Sequence, residues 1–129
     1  MREADPFRRR RILIVDDDAS SRSLLALAVT DEGYRVHQAG NGDEAVDLLR
    51  EHTFDLVIAE LNLEGKDGFQ IVAEMRRQPA PISLIVTVRT GWMPAEFCRR
   101  MAQQLGACHI LARPFPPRQL VAAVRSVLG

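Results

Sequence analysis

A chain of 129 residues with 17 basic and 17 acidic side chains carries no net charge at pH 7, so its overall electrostatics do not call for nucleic acid or an anionic membrane. It is long enough to bury roughly 68–70% of its unfolded surface as one domain without a covalent or metal staple. Its cysteines, Cys98 and Cys108, have no CxxC partner and no histidine at ligand spacing, no apolar run approaches the ~20 residues of a membrane span, and no signal-peptide pattern precedes the first apolar run. Two buried thiols in a soluble, cytoplasmic protein are therefore expected.

The neutral total hides an asymmetry. Arg8 to Arg11 form a basic run, and beyond Glu96 the chain contains arginines but no acid. Residues 1–10 read as a flexible basic arm, because they are polar, contain Pro6 and precede any periodic pattern.

Residues 11–15 read as the first strand, followed by a helix capped at Ser20 or Ser21 and ending at Gly33. Leu24, Leu25, Leu27, Ala28 and Val29 supply the apolar face of that helix. Tyr34 to Gln38 alternate as a second strand, and the Gly40-Asn41-Gly42 turn opens a helix with Ala45, Val46, Leu48 and Leu49 inward. A third strand starts after Asp55, a loop spans Asn62 to Gly68, and Phe69, Ile71, Val72 and Met75 mark a third helix. Pro79-Ala80-Pro81 cannot continue that helix and delivers a fourth strand. Gly91 to Pro94 lead to a fourth helix with Phe97, Met101 and Leu105, closed by Gly106. A short fifth strand over 108–112 and a proline-opened fifth helix with Leu120, Val121, Val124 and Leu128 complete five strand–helix repeats. Short β-branched strands alternating with helices require a parallel sheet with helices on both faces, a doubly wound α/β domain over residues 11–129.

Four apolar runs stop at a polar residue. Ile12 to Val15 meet Asp16-Asp17-Asp18, Leu56 to Ala59 meet Glu60, Leu84 to Val86 meet Thr87, and His109 to Ala112 meet Arg113. Parallel strands deliver their C-terminal residues to one edge of the sheet, where ligands bind. Carboxylates ~4 Å apart repel by on the order of 4 kcal/mol at an effective dielectric of 20. An all-oxygen acidic cluster of this kind is suited to Mg²⁺. Asp16 to Asp18 opening a loop and capping the first helix would account for one of the three acids, but not for all three or for their match with Glu60.

These residues resemble the receiver domains of two-component response regulators, over residues 11 to 129. Ile12 to Asp18 resembles the family's first strand with its acidic pair, Asp16 and Asp17. Phe54 to Glu60 resembles the strand leading to the phosphoacceptor, and Leu61 to Gly68 resembles the following LxLPGxDG loop with Glu64 for proline. Thr87 matches the hydroxyl after the fourth strand, and Gly106-Ala107 through Arg113-Pro114-Phe115 matches a GA…KPF signature. The resemblance implies a flavodoxin-like (βα)5 sheet of order 2-1-3-4-5. It implies Mg²⁺ held by Asp16, Asp17, the residue at Glu60 and the Asn62 backbone carbonyl. It also implies a partner-binding face on the last two helices and the fifth strand, here with Trp92, Arg99, Arg100, Arg118 and Arg125 suited to an acidic protein surface. A histidine kinase or a downstream signalling protein is the expected partner, and a homodimer through this face is a further one; neither membrane nor nucleic acid is expected.

Three positions depart from the family pattern. Glu60 stands at the acceptor position, Arg113 at the lysine position, and Ile110 at the switch aromatic. One extra methylene moves the carboxylate by roughly 1.5 Å, and in phosphoryl transfer a misplacement of ~1 Å can cost ~10²-fold. Inefficient phosphorylation at Glu60 and at most weak Mg²⁺ binding are therefore expected. Two readings of Glu60 stand open: an inert acceptor, or a partial imitation of the phosphorylated site through pairing with the planar fork of Arg113. The function expected is a stand-alone, atypical receiver that binds a partner without phosphorylation and is not an enzyme. The alternatives are a receiver phosphorylated on another acid such as Asp55, or a small Mg²⁺-dependent phosphatase with Asp16 as nucleophile and Asp18 as general acid. Against the phosphatase, Ala19-Ser20 replaces the Gly-Thr of that layout.

Overall fold

The computed structural model describes residues 9–61, 68–89, 91 and 93–129. The described chain runs β1 (Arg11–Val15), α1 (Ala19–Asp31), β2 (Arg35–Ala39), α2 (Gly42–Glu51), β3 (Leu56–Glu60), α3 (Gly68–Arg76), β4 (Ser83–Arg89), α4 (Ala95–Leu105), β5 (His109–Arg113) and α5 (Pro117–Leu128). All five strands are parallel in the order β2-β1-β3-β4-β5. This is the doubly wound, flavodoxin-like arrangement expected, with the chain reversing direction across the sheet between β1 and β3. The basic arm expected over residues 1–10 lies almost wholly outside the described residues.

Strand alternation sorts the sheet into two cores. Leu13, Val15, Val57, Ala59, Leu84 and Val86 pack on one face with Ala45, Leu49, Ile71, Met75 and Leu105 of α2, α3 and α4. Ile12, Ile14, Leu56, Ile58, Ile85 and Leu111 pack on the other with Leu25, Val29, Leu120 and Val124 of α1 and α5. Both faces being covered explains why β1 and β3 read as unbroken apolar runs rather than as alternating ones.

Local chemistry sets the element ends. Asn41 caps α2 by accepting from the Glu44 amide at 2.9 Å, and Glu44 returns the favour to the Gly40 amide at 2.7 Å. A β-carbon at Gly40 would approach the Arg22 guanidinium to 3.3 Å, a tight contact that the Arg22 side chain would have to relieve by a small shift. Gly106 closes α4 at φ +81°, in the left-handed region that only glycine enters without strain.

Several expectations need correction. Asp18, not Ser20 or Ser21, caps α1, accepting from the Ser20 amide at 3.1 Å: the helix begins at Ala19, which puts both serines inside it. Leu24 and Leu27 are 62% and 68% exposed: α1 buries only the stripe of Leu25, Ala26 and Val29 against the sheet and α5. Phe69 and Phe97, named among the apolar residues that mark the third and fourth helices, are exposed on the first turns of α3 and α4. Cys98 is buried but Cys108 is exposed, at the entry to edge strand β5. β4 continues two residues beyond Thr87, and that extension brings a further side chain to the site.

Candidate functional site

The parity that sorts the core also assembles the site. Asp16 follows Ile12 and Ile14, Glu60 follows Leu56 and Ile58, Thr87 and Arg89 follow Ile85, and Arg113 follows Leu111. All five positions therefore continue the α1/α5 face at the C-terminal edge of the sheet. Register places Glu60 opposite Thr87 and Arg89 opposite Arg113. Asp17 joins from the loop after β1.

Asp16, Glu60 and Thr87 are each about 1% exposed, which makes them the buried polar centre of the edge. Asp16 is held from several sides. Its amide donates to the Ala39 carbonyl at 3.1 Å, and its Oδ1 accepts from the Asp18 amide at 2.9 Å. Its backbone carbonyl accepts from Arg22 Nη1 at 2.7 Å, and Arg22 also reaches Gln38 Oε1 at 3.2 Å. One oxygen from each of Asp16, Asp17 and Glu60 lies within 4.8 Å of the others.

Two guanidinium groups enter this acidic cluster. Arg113 Nη2 pairs with Asp16 Oδ2 at 2.6 Å and lies 3.4 Å from Thr87 Oγ1, while its Nη1 donates to the Ser21 hydroxyl. Arg89 bridges the other two acids, with Nη2 at 2.6 Å from Asp17 Oδ1 and Nε at 2.7 Å from Glu60 Oε1. The pairing of Glu60 with Arg113, one of the two readings open from the sequence, is thus not the one formed. Arg113 turns toward β1 and α1, where Asp16 and Ser21 receive it, and Glu60 meets Arg89 from the neighbouring strand.

Among the described residues neither carboxyl oxygen of Glu60 has an aligned hydrogen-bond donor, so the short Arg89 contact is an ion pair rather than a formed hydrogen bond. Burial is the main cause that pushes the Glu60 acid up to about 7. The Asp17 carboxylate, to which a protonated Glu60 can donate, and the charge of Asp16 act in the same direction, while Arg89 opposes them. The charge of Glu60 in turn holds the Arg89 guanidinium above its ordinary value.

The donor set is all carboxylate, the chemistry that Mg²⁺ prefers. The arrangement of those donors is another matter. Asp17 Oδ1 and Glu60 Oε1 already face Arg89, and Asp16 Oδ2 faces Arg113, so the cluster as folded does not fit a divalent ion unless a guanidinium leaves.

The remaining site expectations fall in other places. Asn62 and Trp92 lie outside the described residues. Ile110, 36% exposed, lines a cavity of about 250 Å³ with Val88, Arg89, Met93 and Cys98. Arg99 pairs with Glu96 at 2.8 Å and Arg100 with the same carboxylate at 4.0 Å. Arg118 is exposed at the start of α5, and Arg125 is turned toward Glu32 at the end of α1. Asp55 is at the opposite end of the sheet, where its Oδ2 accepts from the Arg11 amide at 2.8 Å. His37 and His52 stack there with ring centroids 4.6 Å apart, and burial together with the neighbouring His52 lowers the His37 pKa.

Sequence reasoning missed Arg89 and Ser21. Arg89 was detectable: two residues beyond Thr87 on a strand, it must share the face of Thr87 if β4 continues. Ser21 was weighed only as a helix cap, and only the direction taken by Arg113 reveals its role.

Comparison with known proteins bears on this geometry. Residues 12–125 match the family model described as the response regulator receiver domain. The chain is 34% identical over 121 residues to the probable transcriptional regulator ycf27 of Porphyra purpurea, covering 93% of this chain and 48% of that protein. It is 31% identical over 124 residues to the transcriptional regulatory protein ResD of Bacillus subtilis (strain 168), covering 96% and 50%. The chain thus spans about half the length of these curated relatives. Among solved structures, chemotaxis response regulator CheY4 of Vibrio cholerae superposes with a TM-score of 0.81 at 28% identity, covering 94% of this chain and all of that one. A putative response regulator from Chloroflexus aurantiacus J-10-fl gives a TM-score of 0.80 at 29% identity, covering 94% and 98%.

Proposed function

The chain belongs to the response regulator receiver domain family of two-component signalling, and from that membership we propose that it is an atypical receiver, acting through protein binding without being phosphorylated. Receiver domains are signalling domains that bind Mg²⁺ in an acidic pocket and interact with histidine kinases and effector proteins. In this chain the acceptor position is Glu60, and the observation that carries the proposal is its engagement with Arg89 at 2.7 Å. An in-line acceptor needs a free carboxylate oxygen at a fixed distance from the phosphoryl donor. Glu60 is a methylene too long, one of its oxygens is committed to a cation, and burial favours its neutral, non-nucleophilic form. Thr87 and Arg113 keep the positions that would clasp a phosphoryl group, with Arg113 serving Asp16 instead.

The direct partner in this reading is a protein in the cytoplasm, a histidine kinase or a downstream component. Arg99, Arg100 and Arg118 offer it positive charge on α4 and α5, and Trp92 belongs to the same proposed face. Two relatives are named as transcriptional regulators, proteins about twice as long as the stretch aligned here; no nucleic-acid contact is assigned to the residues of this chain.

Intact mass after incubation with acetyl phosphate and Mg²⁺ tests the proposal on this chain and on its Glu60→Asp variant. A phosphoryl adduct on the variant alone is expected, the mark of a preserved scaffold that has lost only its acceptor. An adduct on the unaltered chain overturns the reading and directs the search for an acceptor to Asp16, Asp17 or Asp55.

A further inference from the structure

We propose that Arg89 is the resident cation of this pocket: its guanidinium occupies the place of a divalent ion between Asp17 and Glu60, so that metal binds only by displacing it. The inference rests on reading this edge as the family's acidic pocket, and it goes further by assigning the charge compensation to a side chain of the chain itself.

Three observations carry it. The first is identity of ligand atoms. The two oxygens that Arg89 contacts, Asp17 Oδ1 and Glu60 Oε1, are on the carboxylates that, with Asp16, form the only group of three potential metal ligands among the described residues. A Mg²⁺ ion requires oxygens at about 2.0–2.1 Å in a near-octahedral set. A guanidinium 2.6–2.7 Å from these oxygens and a dication bound to the same carboxylates repel each other, so the two compete.

The second is charge. Asp16, Asp17 and Glu60 carry at most three negative charges against the two guanidiniums of Arg89 and Arg113, which leaves the cluster within one unit of neutrality. The repulsion that makes an empty acidic pocket seek a dication is therefore largely satisfied from within.

The third is reach. Arg89 lies on the two-residue extension of β4 beyond Thr87, and on the face shared by Glu60. Glutamate, longer than aspartate by a methylene, carries its carboxylate outward toward that extension. The Glu60 and Arg89 side chains thus form a matched pair, and the second arginine, on Asp16, leaves none of the three acids without a cation.

Arg89 is about half exposed, so it can swing out without unfolding the domain, which makes the competition measurable. Coupling between two ligands of one site is reciprocal and commonly amounts to about 5- to 150-fold. Isothermal titration of the whole chain with MgCl₂, and separately with MnCl₂, is compared among the unaltered protein, Arg89→Gln and Arg118→Gln. Arg118→Gln removes an equal charge elsewhere on the surface. The expected result is binding tightened at least about tenfold in Arg89→Gln and unchanged in Arg118→Gln. On the unaltered chain, the Arg89 Nε resonance is expected to move toward the free-arginine position in step with Mg²⁺ saturation. Equal affinities in all three proteins, no binding even in Arg89→Gln, or an Nε resonance indifferent to bound Mg²⁺ each overturn the proposal. None of these readouts involves phosphoryl transfer, so a failure here is separate from an adduct found by mass.

Discussion

At Glu60 burial and two neighbouring carboxylates favour the neutral acid, while the Arg89 guanidinium favours the anion. The balance is toward the acid, with the pKa raised from 4.5 to about 7. A group whose pKa rises on folding contributes stability that is complete below its unfolded value and fades as pH climbs through the folded one. Wild-type stability should therefore decline from about pH 4.5 to about pH 7 through this residue, by on the order of 3 kcal/mol. In Glu60→Gln, where nothing titrates, that part of the decline should vanish; urea unfolding of both proteins across the range checks it. An identical slope in the two would mean that the acid titrates in the native protein as it does in the unfolded chain. The residue identities at this site were legible in the sequence, and the pairings were not. Which cation meets which carboxylate depends on strand register and on where β4 ends, and the hydroxyl of Thr87 had seemed to mark that end.

Among the elements, α1 shows best how a pattern can mislead. Its middle, Leu24 to Val29, is an unbroken apolar run, so a helical wheel offers more than one inner face. Packing resolves the ambiguity: only Leu25, Ala26 and Val29 reach the sheet, and Leu24 and Leu27 are left outside. The helix start was similarly ambiguous, with Asp18, Ser20 and Ser21 all competent caps. The side-chain bond from the Ser20 amide selects Asp18. Asp18→Ala should lower stability by about 1 kcal/mol, while Ser20→Ala, one residue inside the helix, should change it by less than about 0.5 kcal/mol. Chemical denaturation of the two variants separates them; equal losses would place the cap elsewhere. The strongly amphipathic α2, with its polar capping turn, left no such freedom, and in α4 the terminal glycine was readable while the inner face was only partly so, Phe97 lying outside and Cys98 and Ala102 within.

For the whole molecule, one sheet serves two cores, so every central strand is anchored by side chains on both of its faces. Leu49 belongs to the core beneath α2, Leu120 to the core beneath α5, and both are fully buried. Leu49→Ala and Leu120→Ala should each cost about 2–5 kcal/mol and should both unfold in a single transition with the denaturant slope unchanged. A second transition in either variant would show that the two sides fold as separate units. This shared sheet was the most legible property of the chain, because doubly covered strands can be written only as continuous apolar runs. It also explains why the site is compact: alternation sends all of its strand-borne side chains to one side of one edge. The Arg89 bridge then has a consequence in terms of effective concentration. A charge tethered by a few bonds is presented to its ligands at well above the millimolar level that even a short flexible linker provides. A dissolved ion must compete with a neighbour that never diffuses away, so it enters this pocket only at concentrations that outweigh the tethered charge.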